Sequence, residues 1–146
     1  MSTIRFHTNS TTGWTGDYYH ILHHRLRRLM EDEMAYTDAR LTRKKLSDAL
    51  YTNQMYLAAA IRQFYNCTYT EYLTHLRLHY ACQLLADTER NSTIESIALD
   101  AGFGSRFTLI RQFKARFGIP PEVYRRQMQQ RAAARFTDKE EIITIK

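Results

Sequence analysis

The fold is decided by residues 93–126, which read TIESIALDAGFGSRFTLIRQFKARFGIPPEVYRR. Thr93 and Ser105 are residue types that cap helix N-termini with a side-chain oxygen. Gly102 and Gly118 suit the left-handed conformation that ends a helix. The stretch therefore predicts two short helices joined by a tight turn, which is the helix-turn-helix arrangement. A further helix is predicted to begin at the Pro-Pro-Glu step.

The second of these helices, predicted over residues 105–117, has two faces of different character. Its inner positions are apolar, with Phe103 of the turn beside them: Leu109, Phe113 and Phe117. Its outward positions are Arg106, Phe107, Ile110, Arg111 and Lys114. Because such a helix offers its outer face to the major groove, we expect Arg106 to bind guanine and Phe107 and Ile110 to contact thymine methyl groups. Burial of Phe107 and Ile110 beside a solvated basic face is the alternative.

The same pattern occurs upstream, at an offset of 52 residues. The matched pairs are Leu57 and Leu109, Ile61 and Phe113, Arg62 and Lys114, Tyr65 and Phe117, Asn66 and Gly118, and Tyr72 and Tyr124. Leu46 matches Ile97 at an offset of 51, so the second turn carries one extra residue. The repeat predicts a duplicated unit, with helices over residues 43–50 and 53–65, where Thr42 and Asn53 are the N-caps.

The remaining stretches are assigned from helical periodicity and turn residues. We expect a loosely ordered N-terminus (1–16), a lead-in helix (17–40), a first helix-turn-helix (41–69), a linker helix (70–87), a second helix-turn-helix (93–126) and a C-terminal tail (127–146). Asp17 is the expected cap of the lead-in helix, whose predicted core face is Ile21, Leu22, Leu26, Leu29 and Met30. On the linker helix the predicted core face is Tyr72, Leu73, Leu76, Tyr80 and Leu84. The tail is ambiguous, because residues 142–145 have strand propensity.

Charge supports a polyanionic partner. The chain has a net charge of +6, and all of it lies in residues 41–131. Residues 49–70 and 101–121 contain no acidic side chain. This asymmetry is typical of a protein that binds nucleic acid.

Residues 93–125 also resemble the C-terminal signature of the AraC/XylS family of transcription regulators. The positions that match the family pattern are Ile94, Ile97, Ala98, Gly102, Phe103, Phe113, Lys114, Gly118, Pro121, Tyr124 and Arg125. Leu109 stands where the family has an aromatic residue, which a core tolerates. The resemblance covers residues 41–126. It implies an all-α fold with two helix-turn-helix subdomains joined by a long linker helix and preceded by a lead-in helix. Their recognition helices would enter successive major grooves, about 34 Å apart.

The resemblance places five residues on the first recognition helix: Gln54, Met55, Ala58, Ala59 and Arg62. Alanine cannot hydrogen-bond a base, so this unit is expected to bind mainly phosphates. Gln54 is its best candidate for base readout, with Met55, Ala58 and Ala59 as apolar base contacts. Phosphate contacts are expected at helix N-termini and from outward cations: Thr52, Asn53, Arg62, Thr93, Ser105, Arg111 and Lys114.

The predicted function is a sequence-specific, double-stranded-DNA-binding transcription regulator with RNA polymerase as a second partner. The alternative is a protein-interaction module that kept the fold but lost DNA binding, which Ala58 and Ala59 favour. Catalysis is not expected, because no nucleophile–base pair can be assigned. Residues 1–40 supply one good helix, so we expect a stand-alone regulator or the DNA-binding part of a longer one, with no small-molecule effector on this chain.

The histidines and cysteines are expected to be ordinary residues. His20, His23 and His24, and the pair His75 and His79, have helical spacing that could suit zinc, but no further ligand completes either set. We therefore expect no metal or other cofactor. Cys67 and Cys82 have no metal spacing and predict free thiols in a reducing cytoplasm. No apolar stretch is long enough to span a membrane.

Overall fold

The computed structural model describes the backbone of residues 12–144 and the side chains of residues 16–137. Throughout this part of the chain the secondary structure is helical, which confirms the all-α prediction. The α-helices are α1 (Thr12–Arg27), α2 (Arg43–Ala49), α3 (Gln54–Tyr65), α4 (Tyr69–Ala86), α5 (Ile94–Ala101), α6 (Arg106–Phe117) and α7 (Pro121–Thr144). A π-helical turn (Arg28–Asp32) and a 3-10 turn (Ala35–Thr37) lie between α1 and α2.

The chain divides into two compact units, and the division falls within α4. Among the described residues, the first unit comprises 12–35 and 40–73, and the second comprises 36–39 and 74–144. The sequence-based division placed the linker helix on its own, and that finer division remains a prediction.

The core positions of α4 differ from the predicted stripe. Tyr72 and Leu73 are buried as expected. Farther along the helix, the half-buried side chains include the predicted Leu76, Tyr80 and Leu84, while the buried ones are Leu78, Ala81 and Leu85. A helix that contributes to two cores buries a different face in each, so a single continuous stripe was the wrong expectation.

In the first unit, α1 begins earlier than predicted. Its first residue is Thr12, so the end of the stretch expected to be loosely ordered is helical and Asp17 lies inside the helix rather than capping it. Residues 1–11 lie outside the described part. The buried positions are Leu22, Leu26 and Met30, four residues apart, whereas Ile21 is 53% exposed because it lies beside this stripe.

The helix pair α2 and α3 completes the first unit. Thr42 accepts a hydrogen bond from the Lys45 amide and Asn53 accepts one from the Tyr56 amide, so both predicted N-caps are confirmed. Asn66 ends α3 in the left-handed region, with φ of 53°. The buried side chains of the pair are Leu46, Ser47, Leu50, Leu57, Ala60 and Ile61.

The second unit has a continuous apolar core. Its buried members are Leu78, Ala81, Leu85, Ile94, Ile97, Ala98, Ala101, Phe103, Leu109 and Phe113. Residues 36–39 belong here because the Arg77 guanidinium donates to the Tyr36 carbonyl (2.7 Å) and the Asp38 carbonyl (2.9 Å). These residues pack closely on the turn between α5 and α6, so a Cβ on Gly102 would clash with the Tyr36 carbonyl oxygen.

The C-terminal segment is helical where a tail was expected. α7 begins at Pro121, as predicted, but continues to Thr144. Residues 127–135 consist of alanine, arginine, glutamine and methionine, which are strong helix formers. Their propensity carries the helix into the part of the tail that had been considered a possible strand.

Candidate nucleic-acid interface

Both helix-turn-helix units have the same backbone framework. In the first turn, Tyr51 donates its amide to the Asp48 carbonyl and Thr52 donates to the Ser47 carbonyl. In the second, Gly102 donates to the Leu99 carbonyl and Phe103 to the Ala98 carbonyl, 51 residues later in each case. Thr93 and Ser105 cap α5 and α6 as Thr42 and Asn53 cap α2 and α3. The predicted repeat is therefore present as a repeat of hydrogen bonds.

The outward face of α6 carries most of the residues predicted to bind DNA. Leu109 and Phe113 are fully buried, which anchors one side of the helix in the core. The opposite side exposes Arg106, Phe107, Arg111 and Lys114, and Phe107 is 80% exposed. This side of α6 therefore presents one large apolar ring among three cations.

Two residues of α6 lie differently from the prediction. Ile110 was expected to point outward, but it is half-buried and packs against the core of the second unit. Phe117 was expected on the inner face, but it is 41% exposed. Phe117 lies in the last turn of α6, where its ring contacts the rings of Phe113 and Tyr124. Burial at the end of a helix depends on its neighbours, which periodicity alone does not reveal.

Arg106, the first residue of α6, lies beside an acidic neighbour that the sequence did not indicate. Its guanidinium is 3.9 Å from the Glu122 carboxylate, and both side chains are more than half exposed. An exposed pair at this distance contributes little to stability, so Arg106 remains able to hydrogen-bond a ligand.

A cleft of about 520 Å³ adjoins Arg106 and the N-terminus of α5. It is lined by Thr93, Ile94, Glu95, Arg106, Glu122, Arg125, Arg126 and Gln129. The cleft adds two cations, Arg125 and Arg126, to the predicted set. Their positions on α7 gave no sign of this, because the contact depends on how α7 packs in the unit.

The outward face of α3 has a different composition. Gln54, Met55, Ala59 and Arg62 are exposed, and Ala58 is half-buried. The Gln54 side-chain oxygen accepts a hydrogen bond from Arg43 Nε at 3.1 Å, which orients the carboxamide. Met55 is 68% exposed at the position that matches Phe107. This face therefore presents the side-chain amide of Gln54, the cation Arg62 and the apolar side chains of Met55, Ala58 and Ala59.

The residues predicted to bind phosphates at helix N-termini include three helix N-caps. Asn53, Thr93 and Ser105 use their side-chain oxygens to accept the capping hydrogen bonds. The amide group of Asn53 and the hydroxyl protons of the other two can still donate. The Thr52 hydroxyl lies 2.7 Å from the Tyr18 hydroxyl of α1, a partner that the sequence did not indicate.

An aromatic cluster joins α1 to the back of α3. The ring of His23 stacks on Phe64, with ring centroids 4.0 Å apart, and His23 Nε2 lies 2.9 Å from the Tyr65 hydroxyl. Burial in this cluster lowers the pKa of His23, and the nearby Arg27 and His20 act in the same direction, whereas Glu31 opposes them. His20 and His23 of α1 thus both contact Phe64 of the recognition helix in the first unit.

Neither a cluster of metal ligands nor a membrane-spanning helix is found among the described residues. In that part of the chain, no group of three or more His, Cys, Asp or Glu side chains is placed to hold a metal ion. None of the helices within residues 12–144 combines the length and the apolar character needed to cross a membrane.

The two capped helix pairs, each with an exposed second helix, define a helix-turn-helix protein. The family described as a helix-turn-helix domain matches residues 46–127. The chain therefore belongs to the AraC-type helix-turn-helix family, a class of DNA-binding transcription regulators. This confirms the family resemblance.

Three similar proteins illustrate the relationship. The chain is 31% identical to the melibiose operon regulatory protein of Escherichia coli K12 over 94 residues, which is 64% of this chain and 30% of that protein. Among solved structures, it resembles the C-terminal domain of AraT, a response regulator from Geobacillus stearothermophilus. That match has 25% identity and a TM-score of 0.64, and it covers 73% of this chain and 84% of that one.

The third is the DNA-binding domain of AdpA, a global transcriptional factor solved in complex with a target DNA. Its TM-score is 0.62 at 19% identity, with 77% of this chain and 92% of that chain covered, so this likeness concerns the fold. The chain spans less than a third of the length of the melibiose regulator.

Proposed function

We propose that this chain binds double-stranded DNA in a sequence-specific manner to regulate transcription, and that α3 and α6 each enter a major groove. The observation that carries the proposal is the outward face of α6, where Arg106, Phe107, Arg111 and Lys114 are exposed opposite the buried Leu109 and Phe113. Arginine near the start of a recognition helix can bind guanine through two hydrogen bonds.

The two units have different roles in this proposal. The second unit reads bases through Arg106 and Phe107, with Ile110 able to reach the groove only by its exposed edge. The first unit binds mainly phosphates, through Thr52, Asn53 and Arg62, with Gln54 reading a base and Met55, Ala58 and Ala59 contacting thymine methyl groups. Thr93, Ser105, Arg111 and Lys114 bind phosphates in the second unit.

The proposal also includes a cellular location and a protein partner. The proposed location is the cytoplasm, with Cys67 and Cys82 as free thiols. RNA polymerase is the proposed protein partner. Catalysis is not part of the proposal.

The direct test is selection of bound sequences from a random duplex pool, followed by affinity measurements at several salt concentrations. We expect a conserved base pattern in the part of the site bound by α6 and a weaker pattern in the other part. The logarithm of affinity should fall by about 0.9 for each phosphate contact per tenfold rise in salt.

One specific feature favours the alternative of a protein-interaction module. α3 exposes Met55 and Ala59, an apolar strip that would suit a protein surface. Failure to select any sequence, together with salt-independent and weak DNA binding, would support that alternative and contradict the proposal.

A further inference from the structure

A groove on the second unit lies outside the surface assigned to DNA. It has a volume of about 440 Å³ and is formed by α4, the last turn of α6 and the first turn of α7. Its lining residues are His75, Leu78, His79, Cys82, Gln83, Ala86, Arg116, Phe117 and Tyr124.

The floor of the groove is apolar. Leu78 is buried, Cys82 is half-buried, and Phe117 presents a ring that is 41% exposed. Tyr124 completes the floor beside Cys82. The exposure of Phe117, which contradicted its predicted place in the core, is thus explained by its position in the wall of this groove.

The rim of the groove can donate hydrogen bonds and carries positive charge. Arg116 is exposed, with its guanidinium carbon 5.6 Å from the centroid of the Phe117 ring. His75, His79 and Gln83 line the rim along α4, where His79 Nε2 and Gln83 Nε2 hydrogen-bond each other at 3.4 Å. The nearest acids along the chain, Asp87 and Glu122, do not line the groove, and none of its lining residues is acidic.

The orientation of the groove leaves it accessible when DNA is bound. Arg116 follows Phe107 by nine residues, which places it about 180° around α6 at about 100° per residue. Phe107 is the centre of the proposed DNA-facing side. Phe117 lies in the last turn of α6, about 16 Å along the axis from Arg106. A partner in the groove would therefore leave the start of α6 free to contact a duplex.

The length of the groove favours an extended occupant. The lining residues of α4 run from His75 to Ala86, which corresponds to about 16 Å along the helix axis at 1.5 Å per residue. An apolar floor of this length with a cationic rim matches a peptide segment that carries apolar anchors and acidic side chains. We propose that this groove, which we call the α4–α7 groove, docks an acidic amphipathic segment of a partner protein.

The test uses the full chain and a displayed library of random peptides of about twelve residues, which would span about 18 Å as a helix. Excess random-sequence duplex DNA is included to occupy the recognition helices. We expect the selected peptides to combine Asp or Glu with Leu, Phe or Trp. Their affinity should fall by at least about tenfold for Arg116→Glu, because like charges would then meet at the rim.

Two controls make the result specific. Arg135→Glu changes the same charge at an exposed position of α7 that does not line the groove, and it should leave peptide binding unchanged. A selected peptide whose acids are replaced by lysine should prefer the Arg116→Glu protein to the unaltered one. Thermal unfolding of both variants verifies that they fold.

A second measurement needs no variant. Alkylation of Cys82, which lines the groove, should slow when a selected peptide is added, while alkylation of Cys67, which lies in the first unit, should not change. The proposal is overturned if no selected peptide depends on Arg116, if Arg135→Glu weakens binding equally, or if Cys82 is not protected. DNA binding is measured separately, so the two proposals can fail independently.

Discussion

The turn of the second unit passes through Gly102 where the turn of the first passes through Tyr51, and both residues lie in the left-handed region, with φ of 95° and 55°. Around Gly102 the Tyr36 carbonyl and the Arg77 side chain leave no room for a Cβ. Tyr51, by contrast, is 90% exposed. The turn is therefore buried by neighbouring residues in the second unit and exposed to solvent in the first.

The recognition helices differ in a corresponding way. Met55 matches Phe107 and Arg62 matches Lys114, but Ala58 and Ala59 stand where the second unit has Ile110 and Arg111. The buried positions are conserved between the copies, since Leu57, Ile61, Leu109 and Phe113 are all fully buried. The two units thus share the residues that fold them and differ in the residues that they expose, and we expect them to contribute unequally to base recognition.

The largest effect is expected from a substitution that disrupts the turn of the second unit. Gly102→Ala should destabilise α5 and α6 by about 2–5 kcal/mol, because a left-handed alanine is strained and its Cβ would displace packed backbone. The measurement is hydrogen exchange resolved to individual helices in increasing urea.

Tyr51→Gly is the matched change in the first unit. It removes an exposed side chain from the same conformation, so α2 and α3 should change by less than about 1 kcal/mol. Equal losses in the two units would mean that the turns are under the same constraint.

Base reading should be unequal. Arg106→Ala is expected to reduce discrimination between the selected site and random DNA by about 1–3 kcal/mol. Gln54→Ala, in the first unit, should reduce it by less than about 1 kcal/mol, because its amide makes at most one or two neutral hydrogen bonds. Competition binding against random duplex gives both values, and an unaltered specificity ratio for Arg106→Ala would show that this residue reads no base.

Phosphate binding should be similar in the two units. Lys114→Ala and Arg62→Ala remove matched cations, and each should weaken binding to all sequences and reduce the salt slope by about 0.9. Lys44→Ala is the control, because this lysine pairs with Asp48 at 3.0 Å on the exposed surface of α2. An effect confined to one base pair would contradict the phosphate assignment.

The smallest expected effect concerns pH and the first unit. The pKa of His23 is lowered from 6.5 in the folded chain, chiefly by burial. The unfolded chain therefore binds the proton more readily, so stability should fall as pH drops below about 6.5. His23→Phe keeps a ring on Phe64 without a titrating group. The fall in Tm between about pH 7.5 and about pH 5.5 should be smaller in this variant, and an identical fall would assign the effect elsewhere.

Local features were the ones that could be predicted from the sequence. The caps at Thr42, Asn53, Thr93 and Ser105, and the left-handed helix ends, depend on a few neighbouring residues, and they are confirmed. The core faces of α4 and the positions of Ile110 and Phe117 were misjudged, because they depend on which elements pack together.

In the candidate site, too, local features were predictable from the sequence and contacts between distant residues were not. The outward position of Arg106 follows from helical periodicity. Three contacts join residues distant in sequence: Arg106 with Glu122, Gln54 with Arg43, and Thr52 with Tyr18. No pattern within a single helix could have indicated them. The roles of these residues in DNA binding remain predictions.

The boundary between the units falls between Leu73 and Thr74, inside an uninterrupted helix. Starting a helix is the unfavourable step in its formation, whereas adding residues to an existing helix is much easier. Whichever unit folds first supplies α4 with a nucleus, and the other unit then only extends it. The pair α2 and α3 and the pair α5 and α6 each join helices that are adjacent in sequence, and such local contacts favour rapid folding. Because both units share α4, this helix would couple two otherwise local folding events into one cooperative transition.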